Sequence, residues 1–240
     1  MNFADLRKKT IRSFLVAGLI TVLGVGATVW VKGQPQDGGI PWVLRAAHDF
    51  NAGLWSRLFS TERSPPRVGA PAGTRPRVNG AVGLETPIDV KTWRLNVFVE
   101  TKQVQALSLA SLKLLPVINT ATQFYCIEGW STQFTYSGVR FSEFMKSFGL
   151  ETRYRYVGLE TPDHQYYVSV DMDSMLHPQT LLAFEMNERP LSGENGAPLR
   201  LVIPIKYGIK SLKRIGAIRF SNTRPPDYWA ERGYDWYSGL

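Results

Sequence analysis

Between Ser13 and Val31 the chain runs SFLVAGLITVLGVGATVWV, 19 residues without a charge, before Lys32 closes the run. At the rise of an α-helix this segment covers roughly 28 Å, about the hydrocarbon thickness of a bilayer. It predicts a membrane-spanning helix, and the chain beyond Lys32 must fold as a separate unit. A signal-peptide apolar region is typically about 7–15 residues long and ends in a small-residue cleavage site. Here the run ends in Trp30 and Lys32, with only Val25-Gly26-Ala27 as a cleavage candidate, so an uncleaved anchor is favoured over a removed signal. Arg7, Lys8, Lys9 and Arg12 precede the span, and the positive-inside bias then places the amino terminus in the cytoplasm and the main domain across the membrane. A domain on the cytoplasmic side is the alternative. Thr10 to Leu15, TIRSFL, resembles a twin-arginine export signal in which Ile11 replaces the first arginine.

Residues 1–32 thus read as a basic flank and anchor, 33–76 as a connecting region and 77–240 as the main domain. Within the connection, Pro41 to Ser60 places Trp42, Leu44, Ala47, Leu54, Trp55, Leu58 and Phe59 on a broadly helical stripe broken by Arg45, His48, Asp49 and Arg57. Such a face needs a bed, either the membrane surface or the main domain. The next stretch, SPPRVGAPAGTRPR, has proline and glycine without an apolar period and reads as a linker.

In the main domain, alternation predicts a strand at Thr92 to Glu100, and Ser108 to Leu115 reads as a short helix stopped by Pro116. Thr122 to Ile127 is a second strand candidate. Phe141 to Phe148 has helical spacing and stops at Gly149. Further strands are expected at Thr152 to Leu159, Tyr166 to Val170, Leu181 to Met186, Leu199 to Ile205 and Ile215 to Phe220. Without a regular β-α-β alternation or an internal repeat, the fold class is mixed α+β with substantial sheet.

A formal charge of +8 prompts a nucleic-acid reading, but its distribution argues against one. From Asn195 to Pro226 lie Arg200, Lys206, Lys210, Lys213, Arg214, Arg219 and Arg224 with no acid among them. That concentration favours a bound anion over a solvated strand face. There is no G-x-S-x-G elbow and no Walker loop, and the only G-x-G, Gly24 and Gly26, falls inside the apolar span. His48, His164 and His177 are too scattered for a metal cluster, and Asp163 with His164 reads as a surface turn. One cysteine, Cys126, excludes an intrachain disulfide. Alone it is most simply a small buried hydrophobe; as a thiolate it offers a metal one soft bond, and a cofactor would have to supply the rest.

Three elements in order, C-x-E-x-W from Cys126 to Trp130, N-G-A-P-x-R-L from Asn195 to Leu201 and K-Y-G-x-K from Lys206 to Lys210, resemble the molybdopterin-binding domain of the sulfite oxidase family, in its membrane-anchored bacterial branch of sulfoxide reductases. The closing PDYWAERGYDWYSGL belongs to the same likeness, which extends from Arg77 to Leu240. The resemblance implies a β-rich molybdopterin-binding fold and makes Cys126 the catalytic thiolate ligand of molybdenum. It implies cofactor contacts from Thr161, Asn195, Arg200, Ser211, Leu212 and Lys213, and from an upstream asparagine for which Asn79 is the candidate. Arg200 and Lys213 have the chemistry to bind the phosphate of a molybdenum-molybdopterin cofactor, and Gly208 would let backbone approach closely.

True sulfite oxidases place arginines soon after the ligand cysteine. Ile127, Glu128, Gly129 and Trp130 stand there in this chain, which favours a neutral sulfoxide-like substrate, free or protein-bound, over sulfite, with Glu128 and Trp130 as candidates for the pocket mouth. With no haem or iron–sulfur ligands of its own, the expected enzyme exchanges electrons through a partner such as a membrane haem protein. Its expected place is the bacterial inner membrane, with the domain in the periplasm. The alternative is a non-catalytic membrane-anchored binding or scaffold protein that keeps the fold.

Overall fold

A computed structural model of the protein describes residues 2–60, 80–150 and 153–240. Helix α1, Phe3–Lys32, is capped by Asn2 and is long and apolar enough to cross a membrane; none of its residues is buried in protein. Its two threonines within the apolar run satisfy themselves: Thr21 Oγ1 donates to the Ala17 carbonyl at 2.9 Å and Thr28 Oγ1 to that of Gly24 at 2.8 Å. A polar side chain in lipid needs such a partner.

A small hairpin of β1, Gln36–Asp37, and β2, Ile40–Pro41, leads directly into α2, Trp42–Leu58. The expected helix is therefore present. The expected linker from Ser64 to Arg77, the proposed domain start at Arg77, Asn79, and the first residue of the strand expected at Thr152 lie outside the described residues.

The main body is built from two five-stranded sheets, in agreement with the mixed, β-rich α+β class. Its elements begin with β3, Leu95–Val99, and β4, Lys102–Leu107, then α3, Leu109–Lys113, where the Ser108 hydroxyl accepts from the Ser111 N–H at 3.1 Å. Next come β5, Val117–Tyr125, β6, Ser131–Arg140, and α4, Phe141–Ser147. They continue through β7, Tyr156–Glu160, β8, Tyr167–Asp171, α5, Met172–Met175, β9, Leu181–Met186, and β10, Arg189–Pro190. The last are β11, Arg200–Val202, and β12, Ala217–Ser221.

One sheet has the antiparallel order β10-β9-β6-β5, with β11 also on β9; the other runs β4-β3-β12-β7-β8, where only the β12–β3 pair is parallel. The principal core lies between them. Leu182, Phe184 and Leu201 from the first sheet, with Leu199 just before β11, meet Leu95, Val97, Val157, Val170, Ile218 and Phe220 from the second. On the opposite face of the first sheet, Phe134, Tyr136, Ala183, Met186 and Val202 form a second cluster. This second face carries the site.

Three strands of the main body, β4, β6 and β10, go beyond what apolar alternation predicts, and expected strands are shorter than the runs that predicted them, β3 and β11 among them. The second candidate strand, Thr122 to Ile127, is the end of a longer β5 that stops at Tyr125. The run from Leu199 to Ile205 contributes only Arg200–Val202 as strand; Ile203 and Ile205 are buried without ladder pairing.

Candidate functional site

Cys126 is the first residue of the turn joining β5 to β6. Its N–H donates to the Trp130 carbonyl at 2.9 Å, and the Gly129 N–H donates back to its carbonyl at 3.1 Å. Gly129 takes φ +87°, a conformation that closes the turn with little steric cost only for glycine. The thiol is buried at the edge of a cavity of about 460 Å³. Trp130 and Glu128 from the same turn also line the cavity, tied by a 2.9 Å bond from the indole Nε1 to Oε2.

The far wall comes from two loops pressed together. The loop before β11 starts with a single helical turn, Gly193–Asn195, capped by the Ser192 hydroxyl, and Asn195 Nδ2 donates to that same oxygen at 2.9 Å. Gly196 comes next with φ +97°; a Cβ there would meet the Arg214 backbone nitrogen at 2.8 Å and the Lys213 Cα at 3.0 Å. Only glycine lets this loop pack so tightly on the one carrying Ser211, Leu212 and Lys213.

Asn195, Arg200, Ser211 and Lys213 consequently line the same cavity as Cys126. The Arg200 guanidinium is buried, with its carbon 5.3 Å from the Tyr136 ring centroid, and its Nη1 donates to the Asn195 carbonyl at 3.2 Å. Its Nε has no hydrogen-bond partner, and no carboxylate pairs with it among the described residues. Lys213 Nζ donates to the Gly80 carbonyl at 3.2 Å and to that of Glu194 at 3.5 Å. Burial, reinforced by neighbouring Arg200, lowers its pKa to about 8 against the weaker pull of Glu194. Two partly desolvated cations that converge on one cavity have the chemistry to hold an anion.

Two expected cofactor contacts are not among the cavity-lining residues. Leu212 is wholly buried in the principal core, where its carbonyl accepts from the Leu201 N–H at 2.9 Å. Thr161 is buried just after β7; its hydroxyl donates to Asp163 Oδ1 at 2.6 Å and accepts from the Tyr166 N–H at 3.1 Å. Thr161 thereby shapes the turn that presents Tyr166 to the cavity, and the Tyr166 hydroxyl closes it onto the Ile209 carbonyl at 2.7 Å. Asp163 belongs to this turn, and His164 beside it is exposed, 3.2 Å from Glu160. Asn79 is not described, but its chain neighbour Gly80 lines the cavity.

The seven cations after Asn195 are not uncompensated as their run of sequence suggests, because most find carboxylates or carbonyls brought from elsewhere in the chain. Lys206 pairs with Asp171 at 3.2 Å, and Lys210 is in buried contact with Asp227 and with the Ser169 carbonyl. Arg224 meets Asp49 at 3.1 Å, while Arg214 and Arg219 donate to the carbonyls of Thr86 and Glu100. Of the seven, Arg200 and Lys213 are the two that line the cavity.

An aromatic wall completes the site. Phe124, Phe134, Tyr136, Tyr166, Tyr228 and Trp229 all line the cavity, and consecutive ring centroids from Tyr166 through Tyr228 to Trp229 and Tyr234 lie 5.1, 5.2 and 5.0 Å apart. The Phe124 ring lies over Gly208, leaving no room there for a side chain. Sequence reasoning missed this wall, although Tyr228, Trp229 and Tyr234 stand in the aromatic closing segment, which carried a signal without an address.

Residues 83–229 match the family model described as "Oxidoreductase molybdopterin binding domain". The chain is 32% identical over 231 residues, 95% of its own length and 85% of the relative's, to the Azospira oryzae protein named "Putative protein-methionine-sulfoxide reductase subunit YedZ1". It is 36% identical over 159 residues to the protein-methionine-sulfoxide reductase catalytic subunit MsrP of Xanthomonas campestris, covering 59% of this chain and 49% of that one. It is 29% identical to the MsrP subunit of Campylobacter jejuni, covering 67% of this chain and 60% of the relative. The chain thus spans about half the length of the Xanthomonas subunit. The crystal structure of the sulfane dehydrogenase SoxCD from Paracoccus pantotrophus shares the fold, with a TM-score of 0.52 at 19% identity over 58% of this chain and 40% of that one.

Proposed function

The chain belongs to the oxidoreductase molybdopterin-binding family, the sulfite oxidase family, and on that premise we propose that it is a membrane-anchored molybdenum-cofactor enzyme that removes oxygen from a sulfoxide. The observation that carries the reading is the placement of one thiol and two cations, Cys126, Arg200 and Lys213, around a single cavity. The residues fit the group. A soft sulfur donor stands at one wall, while a buried guanidinium with an unpartnered Nε stands in a wall built with Lys213, where a phosphate would be held. Bound there, a molybdenum-molybdopterin cofactor supplies two-electron redox chemistry and oxygen-atom transfer.

The chain's own residues do the rest. Cys126 holds the metal by its Sγ from a turn fixed by backbone bonds. Arg200 and Lys213 bind the phosphate end, with Asn195 and Ser211 beside them, while Leu212 and Thr161 act through the positions they impose on Leu201 and Tyr166. Asn79, the sequence neighbour of the cavity-lining Gly80, is kept as the proposed upstream cofactor contact. Trp130, Tyr228 and Trp229 offer an apolar, polarisable surface, suited to the thioether side of a methionine sulfoxide, and the four residues after Cys126 add no cation that would select a sulfite dianion.

The overall change takes sulfoxide, two electrons and two protons to thioether and water. Electrons come from a membrane partner, a haem protein being the class that fits, and substrates of this kind are those in the names of the reductase relatives. The charge bias around α1 supports a periplasmic domain at a bacterial inner membrane, and 1–32, 33–76 and 77–240 remain the proposed divisions. The test is metal analysis of the full chain purified from membranes, with methionine sulfoxide reduction driven by a reduced viologen. Molybdenum near one per chain with turnover is the expected result; a metal-free, cofactor-free protein from a host that loads other molybdoenzymes overturns the reading.

A further inference from the structure

Helix α2 is built with its polarity reversed. The face toward the main domain is polar or small. Arg45 Nη2 donates to the Ala230 carbonyl at 2.6 Å, Asp49 meets Arg224 at 3.1 Å, and Ala52 is buried with Trp236 and Tyr237. At 100° per residue the opposite face gathers Leu44, Phe50, Leu54, Trp55 and Leu58, which are 42% to 71% exposed. A helix in water puts its apolar stripe on the core; this one turns it away.

Position along the chain says what covers that stripe. The β1–β2 hairpin alone separates α2 from the end of α1, and Trp42, the first residue of α2, reaches back: its N–H donates to the Pro35 carbonyl at 2.9 Å and its indole to Gln34 Oε1 at 3.0 Å. The hairpin is not a loose tether. Arg45 Nη2 also donates to the Asp37 carbonyl at 3.3 Å, and Gly38 and Ile40 abut the segment from Ala230 to Gly233. The start of α2 is thus held beside the end of the apolar span. Its one acid, Asp49, is engaged by Arg224, while Arg57 in its last turn and Lys32 at the end of α1 are cations, a sign that suits phospholipid phosphate.

We propose that the outward face of α2 lies in the lipid interface next to α1, so that the domain sits on the bilayer through phospholipid rather than hanging from a tether. The inference rests on the anchoring reading of α1. The segment Ala230 to Tyr234, whose carbonyls receive Arg45 and whose Tyr234 lines the cavity, then stands at the bilayer edge, within reach of a donor embedded in the membrane.

The experiment uses the full chain in vesicles of phosphatidylethanolamine and phosphatidylglycerol, with a diazirine-bearing phenylalanine analogue placed singly at Leu19, Phe50 or Leu114. Leu114 is 87% exposed on the main domain and serves as the solvent control. Expected are lipid adducts at Leu19 and Phe50, with the Phe50 yield at least about tenfold above that at Leu114. Lipid adducts at Leu19 with only water adducts at Phe50 overturn the inference and leave the anchor intact. Crosslinking of Phe50 to a second copy, or in native membranes to another protein in place of lipid, likewise overturns it. Absence of lipid adducts at Leu19 removes the anchor itself and this inference with it.

Discussion

Truncating Cys126 to alanine removes a sulfur from a turn whose shape is set by backbone bonds, so about 1 kcal/mol of stability is at stake, while on the proposed reading the metal would lose its protein sulfur. Thermal melting should therefore move by a few degrees and sulfoxide turnover should fall to background; retention of turnover would remove Cys126 from the metal. For Arg200→Ala, loss of a charge-assisted donor worth about 1.5–3 kcal/mol predicts roughly 10- to 100-fold weaker cofactor retention, read as pterin and molybdenum per chain. Lys213 makes a prediction in pH. Its folded pKa of about 8 lies below the ordinary 10.5, so its ammonium costs the folded protein below about pH 8, and that cost fades as pH rises toward 10.5. Cofactor-free protein should accordingly gain stability across that window, with Lys206 contributing in the same sense. Anion affinity should move oppositely, falling from pH 7 to 9 as the charge is lost. Phosphate titrations of cofactor-free protein check this, and Lys213→Met should flatten the dependence. That Cys126, Arg200 and Lys213 would come together was legible through the family resemblance of the motifs in or beside which they stand, and the three do line one cavity. The aromatic wall was not, because its members meet only through tertiary structure.

The loops and strands holding these side chains have their own sensitivities. Gly196→Ala would impose a Cβ at φ +97° against the backbone of Lys213 and Arg214. Backbone at that position can yield only by separating the two loops, so the cost should be at least about 1–3 kcal/mol, with cofactor content falling more steeply than helicity. Denaturant unfolding alongside metal analysis measures both, and unchanged loading would show that loop apposition is not needed. Secondary structure was readable where the apolar pattern was clean, as alternation around β3 and as a continuous apolar run in β9. It was not readable in β6, whose first half, Ser131 to Thr135, is mostly small or amide side chains. There the strand is specified by its neighbours: Gly138 lies so near Leu182 that a Cβ would fall 2.3 Å from its carbonyl oxygen, and the β6–β9 register shifts between Ser137 and Gly138. Phe134 and Tyr136, two wall residues, were hidden with it.

Across the whole molecule, charge was the least legible quantity, since the acids that balance the run after Asn195 lie outside it in the other strands, helices and loops. Asp227→Asn should strand Lys210 in the interior and cost about 3–5 kcal/mol, a loss visible in urea unfolding; a change below about 1 kcal/mol would mean that water already reaches the ammonium. The topology is equally testable: protease added to intact spheroplasts should digest the main domain, and protection until lysis, with an accessible control, would put it in the cytoplasm. The parallel pairing of β12 with β3 has a further consequence for how this domain comes into being. Ala217 lies opposite Asn96, so every other strand of the body, β4 to β11, is strung between two adjacent partners of one sheet. Such a contact closes late, since its long loop must lose entropy before the pairing repays it. A ribosome has made residue 221 before that sheet can zip, and until then the β3–β4 hairpin offers an unpaired strand edge to whatever is near. Folding is therefore expected on the millisecond-to-second scale after synthesis of that strand, an interval in which the edge is open to pairing with other chains.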